Sequence, residues 1–308
     1  MLLNWKTRQT TKKFLQTSRG ATAQTLTTSG DIGTASNWSG ATLPTNSASP
    51  GTIAIDGTVD GSVTYSGLYI EQSDGDITQN SQGGGGYTFE NGSYLMTGGT
   101  WATRRGLVVG TSQTFTIDGG TFGVAVPGGG GDSLLSINSG GNLNLLSGSV
   151  TVSTDNVFNT GGTLTISGGA FTSLGNFGNA GFNGSGGITN FNGGSISLNT
   201  VSFAGGTGIL NFDGTSSGSV SAASLAGNFS LDWFSGSLMS LTVTGANQAY
   251  YEGLYSGGDL NFEGSNANPF ATNFSVSGET LSLVPEPSSF ALLSGLLALG
   301  LVARRRRA

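Results

Sequence analysis

Cysteine and histidine are both missing from the 308 residues. Without cysteine there are no disulfides, thiolate nucleophiles or cysteine metal sites. Without histidine the commonest general base is gone, and with it Ser-His-Asp and Cys-His machinery and histidine-bound zinc. Charge is scarce too: 9% of residues are Asp, Glu, Lys or Arg, against roughly 25% in an average globular chain. No catalytic residue, metal or cofactor is expected from what remains, and the chain reads as a non-enzyme.

The few charges are segregated. Lys6, Arg8, Lys12, Lys13 and Arg19 precede residue 24, four arginines close the chain, and only Arg104 and Arg105 lie between. Residues 24–283 hold sixteen of the seventeen acidic residues, which gives this body a formal charge of −14. Nucleic-acid binding rests on phosphate neutralisation by Lys and Arg, so a nucleic-acid partner is not expected. Such a charge suits solubility outside the cell.

Glycine, at 55 residues, is what the chain has instead, alongside 17 Phe and 36% hydrophobic residues. That is too apolar for a disordered chain and suits an all-β exoprotein with many tight turns. From residue 87 to about 210, Gly-Gly pairs at Gly98-Gly99, Gly119-Gly120, Gly140-Gly141 and Gly161-Gly162 recur every 21 residues. Around them stand YLMTGGTW, FTIDGGTF, LTISGGAF and ITNFNGGSISL. Alternation at period 2 gives an inward and an outward face, and glycine supplies the corner. A repeat of this length predicts a parallel β-helix of about 20–25 residues per rung, whose rungs are stable only when stacked and capped. Leu95, Phe115, Ile117, Leu164, Ile166 and Phe171 are expected in its inward columns, and almost no helix before residue 286. A β-sandwich is the alternative. Residues 24–86 read as short strands (52–55, 62–65 and 68–70), with Trp38 covering the open end.

Past residue 211 the repeat decays and aromatics multiply. The plain expectation is closing rungs capped by rings; the sharper one is a glycan-stacking surface of Trp233, Tyr250, Tyr251 and Tyr255, since ring faces suit sugars. Two carboxylates would suffice for glycoside chemistry. The candidates Asp56 with Asp60, and Asp74 with Asp76, lie in IDGTVDG and QSDGDIT, where Asp commonly bonds its own turn. Neither pair has EF-hand spacing. GGGGDSLL at residues 128–135 resembles a calcium-binding nonapeptide repeat, but Asp132 sits one residue early and no second copy follows, so it reads as a loop.

The two ends differ from the body. Residues 1–23 combine basic residues with Ala21-Thr22-Ala23, as the n-region and cleavage site of a secretory signal do, yet no apolar stretch of about 7–15 residues separates them. They read as a defective or mis-started signal peptide, or as a disordered basic leader. Residues 284–308 run VPEPSSFALLSGLLALGLVARRRRA. Two prolines make a rigid, extended Val284-Pro285-Glu286-Pro287. An uncharged run over 290–303 predicts one hydrophobic helix, a minimal membrane span beside the usual ~20 residues. Arg304, Arg305, Arg306 and Arg307 orient it with the arginines in the cytoplasm and the body outside. The structural alternative is a buried terminal helix with a basic tail.

This end resembles the PEP-CTERM sorting signal of exported proteins in Gram-negative bacteria. Val284, Pro285, Glu286, Pro287 and Ser288 match its box, residues 290–303 its transmembrane helix, and Arg304 to Arg307 its basic cluster. The resemblance implies recognition of the box by an exosortase, a membrane-embedded cysteine protease-transpeptidase. It further implies transient anchoring in the inner membrane, then a place at the cell surface or outside the cell. The Gly-Gly body is similar to autotransporter-associated, passenger-type β-strand repeats, a parallel β-helix family, and Asn37-Trp38-Ser39-Gly40 with Leu43-Pro44 resembles their opening. Together these imply a non-catalytic exported surface or matrix protein. The alternative is a glycan-binding or polysaccharide-degrading β-helix, with extracellular polysaccharide as its partner.

Overall fold

In a computed structural model of the protein, the described residues are 23–60, 62–79, 86–103, 106–124, 135–152, 157–175, 177–179, 187–213 and 217–284. The leader before Ala23, Arg104 and Arg105, most of the 128–135 loop and the tail beyond Val284 lie outside them.

The chain coils into three parallel sheets that share every turn. The first begins at Gly51–Ile53, continues through Tyr69–Gln72 and Ser93–Met96, and ends at Leu260–Phe262. The second begins at Gly57–Val59, passes through Asp76–Gln79 and Thr100–Thr103, and reaches Met239–Val243. Thr64–Ser66, Tyr87–Glu90 and Leu107–Val109 open the third. This is the expected β-solenoid, and it starts earlier than the Gly-Gly repeat. Rung length varies more than 20–25 residues, from 19 between Gly51 and Ile70 to 29 between Leu231 and Leu260.

The corner between the first and second sheets explains the glycines. Gly75, Gly99, Gly120, Gly148, Gly169 and Gly194 all have positive φ, between 69° and 84°. A Cβ on Gly120, Gly148, Gly169 or Gly194 would lie 2.5–2.7 Å from the carbonyl oxygen of the glycine one rung below. Those carbonyls are already engaged: Gly75, Gly99 and Gly169 accept from the amides of Thr100, Thr121 and Ser195 at 3.0, 3.1 and 2.9 Å. Backbone thus stacks on backbone, where only glycine fits. The even 21-residue spacing turns out to mix two corners. Gly98-Gly99 and Gly119-Gly120 sit between the first and second sheets, whereas Gly140-Gly141 and Gly161-Gly162 sit between the third and the first.

Inward side chains fill the coil. Phe115, Ile117, Leu164, Ile166 and Phe171 are fully buried as expected. Leu95 is not in the column; Tyr94 and Met96 point in and Leu95 out. The reason is a polar partner inside: Tyr94 stacks on Phe115 at 4.7 Å and donates its hydroxyl to Gln72 Oε1 at 2.8 Å. Gln72 in turn donates to the Gly75 carbonyl at 2.9 Å. Because side chains alternate, choosing Tyr94 reverses its neighbour.

Both ends are closed. At the first rung Trp38 is buried and donates Nε1 to the Ile32 carbonyl at 2.9 Å, while Leu26 and Ile32 seal beside it. At the far end Phe274–Ser277 and Thr280–Leu283 form a hairpin, and Thr280–Leu283 also pairs antiparallel with Met239–Val243. Helix α1 (Gln248–Gly257) and the single turn α2 (Phe270–Asn273) complete this closure; they are the only α-helices among the described residues, in keeping with the expected scarcity of helix. α1 is short but well framed. The Asn247 side chain accepts from the Tyr250 amide at 3.0 Å, Gly258 ends it at φ 86°, and Tyr251 and Tyr255 at i and i+4 face the core.

Candidate functional site

The closing region and the start of the tail form one structure. Val284, the last described residue, follows Thr280–Leu283 directly and donates its amide to the Asn273 carbonyl at 2.9 Å. Asn273 is itself buried, with Nδ2 on the Tyr255 hydroxyl at 3.2 Å. The point at which the chain leaves the body is therefore fixed through α2 and α1. Pro285, Glu286, Pro287, Ser288 and Arg304 to Arg307 lie outside the described residues, as does the expected helix over 290–303. Among the described residues no helix is long and apolar enough to cross a membrane.

Beside this exit is a cavity of about 610 Å³. Its walls come from the 235–240 turn and strand, Phe262, Thr272, Asn273, Ser282, Leu283 and Val284, and none of them is ionisable. No sequence signal marked it, because its parts are brought together by the antiparallel hairpin.

The proposed sugar-stacking rings are placed differently. Trp233 and Tyr251 are fully buried and Tyr255 is 5% exposed. Trp233 stacks face to face on Phe212, centroids 3.7 Å apart. The Tyr251 hydroxyl donates to the Glu279 carbonyl at 2.7 Å and accepts from the Val243 amide at 3.2 Å; burial pushes its pKa up to about 12. Tyr250 alone remains partly at the surface, against a small cleft of about 170 Å³ shared with Leu225 and Thr244. The four rings do not form one face, because three of them close the core.

The carboxylate pairs serve turns. Asp56 accepts from the Asp76 amide one rung above at 3.0 Å, and Asp74 from the Gly75 amide at 2.8 Å. A closer acidic constellation escaped the sequence. Asp31 accepts from the Gly33 amide at 2.8 Å and from the Tyr65 hydroxyl at 2.9 Å, while that hydroxyl accepts from the Asp60 amide at 2.7 Å. Partial burial, with Asp60 nearby, holds the Asp31 carboxyl above its ordinary range; burial likewise raises Tyr65. The Asx turn Asp31-Ile32-Gly33 was legible, but the tyrosine 34 residues on was not. Its geometry ties the N-terminal cap to the third sheet. Among the described residues no group of three potential metal ligands occurs.

Fold and exit together define a capped parallel β-solenoid that hands its last strand directly to a C-terminal tail. That tail matches a known family: the PEP-CTERM protein-sorting motif, over residues 283–307. The motif indicates exosortase-dependent sorting of an exported protein, transiently held in the membrane. No curated protein and no solved structure matches the chain.

Proposed function

We propose that this is a non-catalytic protein of the cell surface or extracellular polymer matrix of a Gram-negative bacterium, whose solenoid is the delivered product and whose tail is removed by an exosortase. The carrying observation is continuity: the last described strand, Thr280–Leu283, reaches the first residue of the matched motif, so no linker separates the described body from its address. Its resemblance to passenger-type repeats supports the same reading. So do Asp56 and Asp74, whose carboxylates are taken up by turn amides.

Cell fractionation with intact-mass measurement of the C-terminus tests this in cells with and without the exosortase. The expected product outside the cell is a body lacking most of residues 284–308, found only when the enzyme is present. An intact tail on exported protein in both strains would overturn it. The purified body should release neither reducing ends nor unsaturated products from polysaccharides, with or without Ca²⁺. Glycan binding is the second reading, and Tyr250 beside its small cleft supports it. Polysaccharide retention lost in Tyr250→Ala, with the fold intact, would favour that reading.

A further inference from the structure

The cavity at the exit carries an apolar side chain turned outward. Leu238 is 60% exposed although the turn that carries it is ordered: the Ser237 amide donates to the Phe234 carbonyl at 3.1 Å, and Ser237 Oγ accepts from the Met239 amide at 3.3 Å. Val284, on the same wall, is 38% exposed. A concave site of ~300–1,000 Å³ with apolar walls and a few polar groups is the usual form of a binding pocket. With no ionisable group in its lining, this one suits an apolar ligand group rather than an ion.

Its position identifies the occupant. Leu283 and Val284 belong both to the pocket wall and to the matched sorting motif. An enzyme that engages the box beginning at Val284 must come within a residue or two of the pocket rim. Hydrogen bonds hold the rim to the body, from Val284 to Asn273 and from Asn273 to Tyr255. The tail's own apolar run is a poor candidate, since it has to lie in the bilayer while the box is processed.

We propose that this pocket is an exosite for the tail-processing membrane enzyme, receiving a branched aliphatic or aromatic side chain from that enzyme's outer surface. The proposal rests on the sorting reading of the motif. Docking there raises the local concentration of the box at the enzyme's active site, so the folded body contributes to recognition of its own address.

The test uses the full chain produced together with its exosortase. Leu238→Asp puts a charge at an exposed position, and Thr272→Trp blocks the rim from another exposed position. Both should slow tail removal about fivefold or more while thermal unfolding stays unchanged. The same tail fused to an unrelated exported protein should be processed at the slow rate. Glu286→Ala reports on the motif alone. If both pocket variants are processed at the wild-type rate while Glu286→Ala is blocked, the exosite is wrong and the sorting reading stands. If Glu286→Ala is also processed normally, the sorting reading fails first. A photo-crosslinking residue at position 238 should capture the enzyme; capture instead of residues 285–308, of a second copy or of lipid would overturn the proposal.

Discussion

The middle of the solenoid and its C-terminal end bury side chains by the same alternation but are held by different contacts. Between residues 93 and 212 each rung rests on the one below through parallel ladders, a column of corner glycines and stacked inward side chains, aromatic in some rungs and aliphatic in others. Repetition makes every contact similar, so strength is spread evenly. Beyond Phe229 the glycine column has stopped, the last strands turn antiparallel, and α1 and α2 are tied to them by individual residues, such as Tyr251 and Asn273, that each make more than one hydrogen bond. Regularity gives the middle its strength, whereas the end gains a surface that differs from all the others. The pocket and the tail exit both lie there. The described residues include no Lys or Arg, so none of the contacts described in either region is an ion pair.

The sharpest way to break this comparison is to put a side chain into the glycine column. Gly169→Val forces a β-branched residue to φ 69° and drives its Cβ to within 2.5 Å of the Gly148 oxygen. The expected loss is about 3–5 kcal/mol, read by denaturant unfolding. Gly236, at the C-terminal end, has φ 79°, and a Cβ there would meet nothing within 4 Å. Gly236→Ala should cost only ~1–2 kcal/mol, the backbone part alone. Equal losses at the two sites would mean that φ, and not backbone stacking, is what the column requires.

That column also shows what the sequence could and could not reveal. Period-2 alternation placed Phe115, Ile117, Leu164, Ile166 and Phe171 correctly, because an apolar residue between polar ones has only one way to face. Tyr94 and Leu95 defeat the same rule, since the choice between them depends on Gln72, 22 residues away. The even Gly-Gly spacing was a true repeat read in the wrong phase: rungs of unequal length brought two corners to one interval. α1 has a single buried pair, Tyr251 and Tyr255, too short a pattern to stand out from strands. At the exit, Val284 was legible as the start of a sorting box. The pocket beside it was not, because its walls come from four separated segments.

A smaller effect is expected where the closing region is tied down. Tyr251→Phe removes the hydroxyl that bridges the Val243 amide and the Glu279 carbonyl. The buried Val243 amide is left with only its longer bond to the Glu279 carbonyl at 3.4 Å, and that carbonyl loses its closer donor, at a cost of ~1–2 kcal/mol. Hydrogen exchange should show lost protection around Val243 and residues 279–284, with the rungs from 93 to 212 unchanged. Uniform loss along the whole body would show that end and middle open as one unit, and the contrast between them would fall.

The smallest effect is expected at the opposite end, where Asp31 ties the first cap to Tyr65. Its folded carboxyl titrates above the ordinary 3.8, chiefly because burial disfavours the charge and Asp60 adds to it. A raised carboxyl pKa means that the folded state holds the proton more tightly than the unfolded chain. Its contribution is therefore fully present below about pH 3.8 and lost as pH rises through the folded value. At pH 7 the ionised Asp31 works against the fold, within a body that is already strongly acidic. Asp31→Asn keeps an acceptor for the Gly33 amide and the Tyr65 hydroxyl while removing the charge. Because the site is only half-buried and screened, the variant should melt just ~1–2 °C higher at pH 7. The gain should shrink with added salt and vanish at pH 3, where the wild-type carboxyl is neutral too. A variant less stable than wild type at both pH values would show instead that the ionised carboxylate, by its stronger hydrogen bonds, is what holds the cap.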